Sequence, residues 1–212
     1  MWQNVCKNII GIEPSEDMIS VANKKANVSI RFVKAFSENT GLPDKCADVV
    51  VCSQSFHWLE PRATLAEANR ILRDPGIFAT VDCDWPPLAT WKAEKEYMRL
   101  YSKVKKIEAN IPEIKETFVR YPKDKHLKNI AESGYFTYSR EPLFSNEEIC
   151  SKERFINLIL SQGSLQTILR KRLELIEEDL KNFKSNIERI LGNETFKAEF
   201  CYRMRIGVKS ME

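Results

Sequence analysis

Three apolar runs, Asn8–Glu13 (NIIGIE), Ala47–Ser53 (ADVVVCS) and Ile77–Cys83 (IFATVDC), are separated by segments with helical periodicity. Unbroken apolar runs of this length belong to strands covered on both faces, as in a parallel sheet flanked by helices. The first run stops at an acid and Pro14. Ser15 then offers a helix cap, with Glu16 and Asp17 in the first turn and an apolar face of Met18, Ile19, Val21 and Ala22. Val28–Ala35 reads as a second strand and Gly41-Leu42-Pro43-Asp44 as a turn. A helix runs from Pro61, which loses nothing at a first turn, through Ile71-Leu72, and Asp74-Pro75-Gly76 breaks it. Strand and helix alternating at this spacing predict an α/β fold.

Glycine limits that reading. Sheets of this kind that hold a nucleotide cofactor use closely spaced glycines on the first strand-to-helix turn, where a missing Cβ lets the backbone approach. The seven glycines here (Gly11, Gly41, Gly76, Gly134, Gly163, Gly192, Gly207) are all far apart, and G-x-G occurs nowhere.

Beyond Asp84 the pattern changes. Trp85-Pro86-Pro87 is a stiff connector, and Leu88 to Val119 is charged and helix-period. A short helix is predicted over Asp124–Ser133, an antiparallel strand over Gly134–Phe144 and a helix over Lys152–Leu160. From Leu165 to Leu191 apolar residues recur every three or four positions, as in a cap helix, with a coiled coil as the alternative. Phe196–Val208 alternates as a closing strand. The expectation is a single domain over 1–212, with its core in 8–84, 134–144 and 196–208 and a helical cap in 88–133 and 145–192.

With 33 basic against 30 acidic residues the net charge is +3, too small a surplus to point to nucleic acid. No apolar stretch is long enough to span a membrane, and MWQNVCKNIIGIEP lacks the signal-peptide pattern. Six scattered cysteines without C-x-x-C, two of them (Cys52, Cys83) inside apolar strands, predict reduced thiols and a cytoplasmic protein.

The strings GIEPSEDMISVA, SENTGLPDKCADVVVCSQSFHWLEP and EANRILRDPGIFA resemble the class I S-adenosylmethionine-dependent methyltransferases. Within them the chain is most similar to the type 11 small-molecule enzymes that include trans-aconitate methyltransferase. The resemblance is strong over 8–84 and weaker to the C-terminus. It implies a Rossmann-like sheet with S-adenosyl-L-methionine at the carboxyl ends of its strands. Glu13 would accept hydrogen bonds from the cofactor's ribose, with helix capping as the alternative role. Met18 would lie near the adenine or simply pack on the sheet, and Phe36 and Ser37 fall on the adenine loop, with Glu38 beside them. Gln54 would face the methionine part or the substrate. His57, in Phe56-His57-Trp58, would serve as base for a protonated acceptor, or as a packed structural histidine. Trp58, Asp82, Asp84 and Trp85 would meet the acceptor; solvated loop acids are the plainer reading of the two aspartates, and they make no metal site. His126 and the Lys103-Val104-Lys105-Lys106 string read as surface.

The resemblance also says what is wanting. Only twelve residues precede Glu13, so the family's first strand and glycine loop have no counterpart, and Met1–Lys7 resembles the tail of the first helix. The missing strand would sit between those ending at Glu13 and Ser53, and its loss would leave facing edges unpaired or force an altered pairing. The expectation is an N-terminally truncated methyltransferase of a small molecule, inactive as this chain. The alternative is a non-catalytic regulatory or assembly partner, with a protein partner or dimer covering the open sheet. A dehydrogenase on a similar sheet fits least.

Overall fold

The computed structural model describes residues 5–116 and 119–210. The chain divides into two compact units, the first formed by Met1–Val81, Arg120–Glu141 and Met204–Glu212, the second by Asp82–Val119 and Pro142–Arg203.

The first unit opens with a βαβ unit: β1 (Ile9–Ile12), α1 (Glu16–Asn23) and β2 (Ile30–Val33). Ser15 caps α1, its Oγ accepting from the Met18 N–H at 3.4 Å. β1 and β2 pair in parallel, Ile9 opposite Ile30 and Ile12 opposite Val33. β3 (Ala47–Ser53), α2 (Pro61–Ile71) and β4 (Leu72–Cys83) repeat the pattern. β3 and β4 are parallel, with a register shift between Ala47 and Val49 where Asp74-Pro75-Gly76 is accommodated within β4. After α5 (His126–Ala131), β5 (Tyr138–Arg140) pairs antiparallel with the end of β7 (Phe196–Lys209). Strand order in this unit is β3-β4-β7-β5, and β1-β2 forms a separate sheet. Among the described residues, β1 bonds only to β2 and β3 only to β4, so each keeps one unpaired edge.

The core of this unit lies under the second sheet. Phe56, Leu65, Ala68, Leu72, Phe78, Ile130 and Phe136 pack together, with Phe78 stacked on Phe136 at 5.9 Å and edge-on to Phe56 at 5.5 Å. The βαβ unit is thinly covered: α1 has no fully buried residue, and of its predicted apolar face Ile19 and Ala22 are half-buried while Met18 and Val21 are exposed. Within β1, the Phe32 ring lies across Gly11, where an added Cβ would stand 2.5 Å from Phe32 Cδ1. Gly11→Ala is therefore expected to destabilise by about 1–3 kcal/mol in urea titration, and Phe32→Leu in the same chain to recover most of the loss.

The second unit is mostly helical: α3 (Trp91–Asn110), α4 (Pro112–Lys115), α6 (Lys152–Leu160), α7 (Gly163–Lys171) and α8 (Glu177–Leu191), with β6 (Leu143–Cys150) antiparallel to the first part of β7. Tyr97, Leu100, Val104, Phe155, Ile159, Leu165, Ile168, Phe183 and Ile187 fill its core. The predicted continuous helix over 165–191 is instead two helices, separated by the turn Leu173–Leu175. Cys52 and Cys83 are buried and not disulfide-bonded. Of the predicted helical tail Met1–Lys7, residues 1–4 lie outside the described residues, and Val5–Lys7 are not helical. Among the described residues no helix is long and apolar enough to cross a membrane.

Candidate functional site

β3 delivers the chain to Gln54, which sits at φ +52°, a left-handed conformation that a residue with a Cβ adopts at a cost. Two contacts hold it there. Its N–H donates to Val81 O at 2.8 Å, and its Oε1 accepts from Lys123 Nζ at 3.4 Å. The next turn, Phe56–Trp58, buries Phe56 and leaves Trp58 partly exposed, with the His57 and Trp58 rings 4.8 Å apart. The segment Arg120–Lys123 closes on this turn. The Tyr121 N–H donates to His57 O at 2.8 Å, and the Arg120 guanidinium lies 4.7 Å from the Trp58 ring centroid, in cation–π range. The structure thus brings Gln54, His57 and Trp58 together and adds Arg120, Tyr121 and Lys123. Sequence reasoning missed these three because they lie far along the chain; the one available signal was a basic–aromatic string just before a helix.

At the end of β1, Glu13 donates its N–H to Val33 O (3.1 Å), and its Oε1 accepts from the Ser15 N–H (2.8 Å). One carboxylate oxygen thus fixes the turn into α1. Among the described residues no hydrogen bond falls on Oε2, which can accept from a ligand's hydroxyls. Met18 is 59% exposed and Phe36 61% exposed.

The loop that carries Phe36 is tied to one face of α2 at three points. Ser37 Oγ meets Thr64 Oγ1 at 3.1 Å; the Thr40 N–H and hydroxyl both donate to Glu67 Oε1, at 2.8 and 2.6 Å; Arg70 Nη1 donates to Asp44 Oδ1 at 2.6 Å. Arg70 also grips both Glu67 oxygens, Nε to Oε2 at 2.8 Å and Nη2 to Oε1 at 2.7 Å. Glu67 is only 8% exposed, and its hydrogen bond with Arg70, helped by Thr40 and opposed by burial, holds its carboxyl down at about 2. Residues 64, 67 and 70 lie three apart, and so on one helix face, which is why they can hold successive points of one loop.

Asp82, Asp84 and Trp85 belong to the second unit. Asp82 is 3% exposed, which corrects the reading of both acids as solvated; position 82 still lies within β4, whereas Asp84 is exposed and paired with Arg203 Nη2 at 3.3 Å. Trp85 packs edge-on to Phe200 at 6.5 Å. His126, expected at the surface, is fully buried with its ring 4.8 Å from Phe56, because positions 126 and 130 share the helix face that meets the core.

These groups fit one half of an S-adenosyl cofactor. Glu13 Oε2 suits a ribose diol, and exposed Phe36 and Met18 offer apolar surface to a purine. The other half is not matched. G-x-G occurs nowhere in the sequence, and Gly11, which precedes Glu13, lies inside β1 under Phe32. No methyl-transfer step can be derived through a cofactor these residues only half hold.

Residues 1–80 match the family model described as "Methyltransferase domain". A probable S-adenosylmethionine-dependent methyltransferase of Saccharomyces cerevisiae is 33% identical over 79 residues, 34% of this chain and 27% of the yeast protein. An uncharacterized methyltransferase-like protein of Schizosaccharomyces pombe is 24% identical over 198 residues, covering 93% of this chain and 71% of that protein. The chain thus matches only about a quarter of the length of the Saccharomyces relative. Among solved structures, a provisionally assigned type II methyltransferase from Anaeromyxobacter dehalogenans superimposes with a TM-score of 0.66 at 18% identity, over 97% of this chain and 82% of that one. A protein from Bacillus halodurans, also provisionally assigned as a methyltransferase, gives 0.54 at 16% identity over 99% and 86%. These likenesses establish a Rossmann-like α/β fold of the methyltransferase kind, and residues 1–80 carry the match to the methyltransferase domain family.

Proposed function

We propose that the chain derives from an S-adenosylmethionine-dependent methyltransferase of a small-molecule acceptor, and that these 212 residues by themselves do not form a working cofactor site. The observation that carries this reading is the contrast at the strand ends. Glu13, Phe36, Gln54, His57 and Trp58 stand at or just beyond the carboxyl ends of β1, β2 and β3, where ligands bind in open α/β sheets, while no two glycines lie close enough in the sequence to form the family's cofactor turn. The acceptor would meet the aromatic and basic turn formed by His57, Trp58 and Arg120. Methyl transfer is an in-line displacement that depends mainly on positioning and exclusion of water, and His57 is the group available to take an acceptor's proton.

A fusion tests this reading. An apolar strand followed by a D-x-G-x-G loop and a short helix is placed ahead of Met1. The fused chain is expected to bind S-adenosylmethionine with micromolar affinity, and Glu13→Ala to weaken that binding at least tenfold. A folded fusion that binds nothing would contradict the proposal.

The unpaired edges of β1 and β3 favour a second reading, a methyltransferase-like partner without catalysis whose open sheet is covered by another polypeptide or a second copy. The DNA upstream of Met1 separates the two. An in-frame segment encoding a strand and glycine loop supports the first, and an in-frame stop codon supports the second.

A further inference from the structure

We infer that the cleft between the first turns of α3 and the last turn of α8 binds a planar organic anion, a role independent of the function proposed above. The cleft has a volume of about 500 Å³ and is lined by Trp91, Lys92, Lys95, Glu96, Arg189 and Ile190, all in the second unit. That volume lies in the range of small-molecule sites. Its apolar part is unusual for a surface. Trp91 is 69% exposed although it opens α3, whose Ala93, Tyr97 and Leu100 are fully packed, and half-buried Ile190 lies across from it. Positions 91 and 95 are one helical turn apart, so ring and ammonium share a face.

The charges specify the ligand. Lys92 Nζ stands 5.6 Å from the Trp91 ring centroid, and neither Lys92 nor Lys95 makes a salt bridge among the described residues. Arg189 Nη2 donates only to a neutral amide, Asn186 Oδ1, at 3.2 Å. The single acid is already engaged, Glu96 Oε2 accepting from Arg99 Nε at 3.2 Å and Asn186 Nδ2 at 3.1 Å. Three cations around one exposed indole therefore outnumber the cleft's single carboxylate, whose Oε2 is already taken. A flat aromatic ring stacked on Trp91, with a carboxylate or sulfonate reaching Lys92, Lys95 and Arg189, satisfies both features. A neutral aromatic satisfies only one of them.

The test uses 2-naphthoate as probe and 2-naphthamide as its neutral counterpart, titrated into the full chain with two-dimensional amide NMR as readout. Naphthoate is expected to saturate with sub-millimolar Kd, shifting the amides of Trp91–Glu96 and Arg189–Ile190, and naphthamide to bind at least tenfold more weakly. Trp91→Ala and the double variant Lys95→Ala/Arg189→Ala should each weaken naphthoate tenfold or more while leaving the thermal transition in place, since all three side chains are exposed. Equal affinity for the two probes, no saturation, or binding that survives Trp91→Ala would overturn the inference.

Discussion

Glu67→Ala is expected to cost about 3 kcal/mol of folding stability, measured by urea titration at neutral pH. The change leaves the buried N–H and hydroxyl of Thr40 without their acceptor, at about 1–3 kcal/mol for each unmade bond. Arg70 adds little, because its side chain is partly exposed and keeps Asp44. The carboxyl titrates at about 2 in the folded protein against an ordinary 4.5. A depressed carboxyl contributes stability that is complete above the unfolded value and lost as pH falls through the folded one. The native chain should therefore lose about 3 kcal/mol between roughly pH 4.5 and pH 2 from this group, and Glu67→Ala should lack that component of its acid transition. The amides of residues 37–44 should exchange faster in the variant, since the clamp on α2 is what fixes that loop. A loss below about 1 kcal/mol, or an unchanged acid profile, would show that the three-point attachment is not what orders it.

Phe155→Ala is expected to cost about 3–5 kcal/mol. Phe155 is fully buried in α6, edge-on to Tyr97 at 5.9 Å and to Phe196 at 6.4 Å, so its removal opens a cavity among rings that cannot collapse without leaving their own contacts. Phe155→Leu, which keeps most of the volume, should cost under about 1.5 kcal/mol. Guanidinium titration of the two variants measures the difference, and amide exchange in α3 and α6 locates it. Equal losses from the two substitutions would mean that ring packing does not set the stability of this unit.

How much of this is legible from residues alone depends on how local the signal is. α6 falls over Lys152–Leu160 as expected, because Ser151 caps it and the periodicity is self-contained. α2 and the strands β1, β3 and β7 follow for the same reason. The break between α7 and α8 escapes notice because Leu169, Leu173, Ile176 and Leu180 keep their spacing through a tight turn that has no glycine or proline to announce it. His126 is misjudged because its lysine and aspartate neighbours are polar, whereas its own periodicity with Ile130 points inward. The site divides in the same way. Glu13, Gln54, His57 and Trp58 lie just past recognisable strands and can be picked out in advance. Arg120, Tyr121 and Lys123 reach the same turn only through the fold, and in the same way Thr64, Glu67 and Arg70 of α2 reach the loop that carries Phe36.

With Glu13 at the end of β1 but no closely spaced glycines, S-adenosylmethionine should find only half of a site on this chain. Isothermal titration of the purified 212-residue chain with S-adenosylmethionine tests it most directly. No saturable heat is expected at ligand concentrations into the millimolar range. One-to-one binding with micromolar affinity would contradict it.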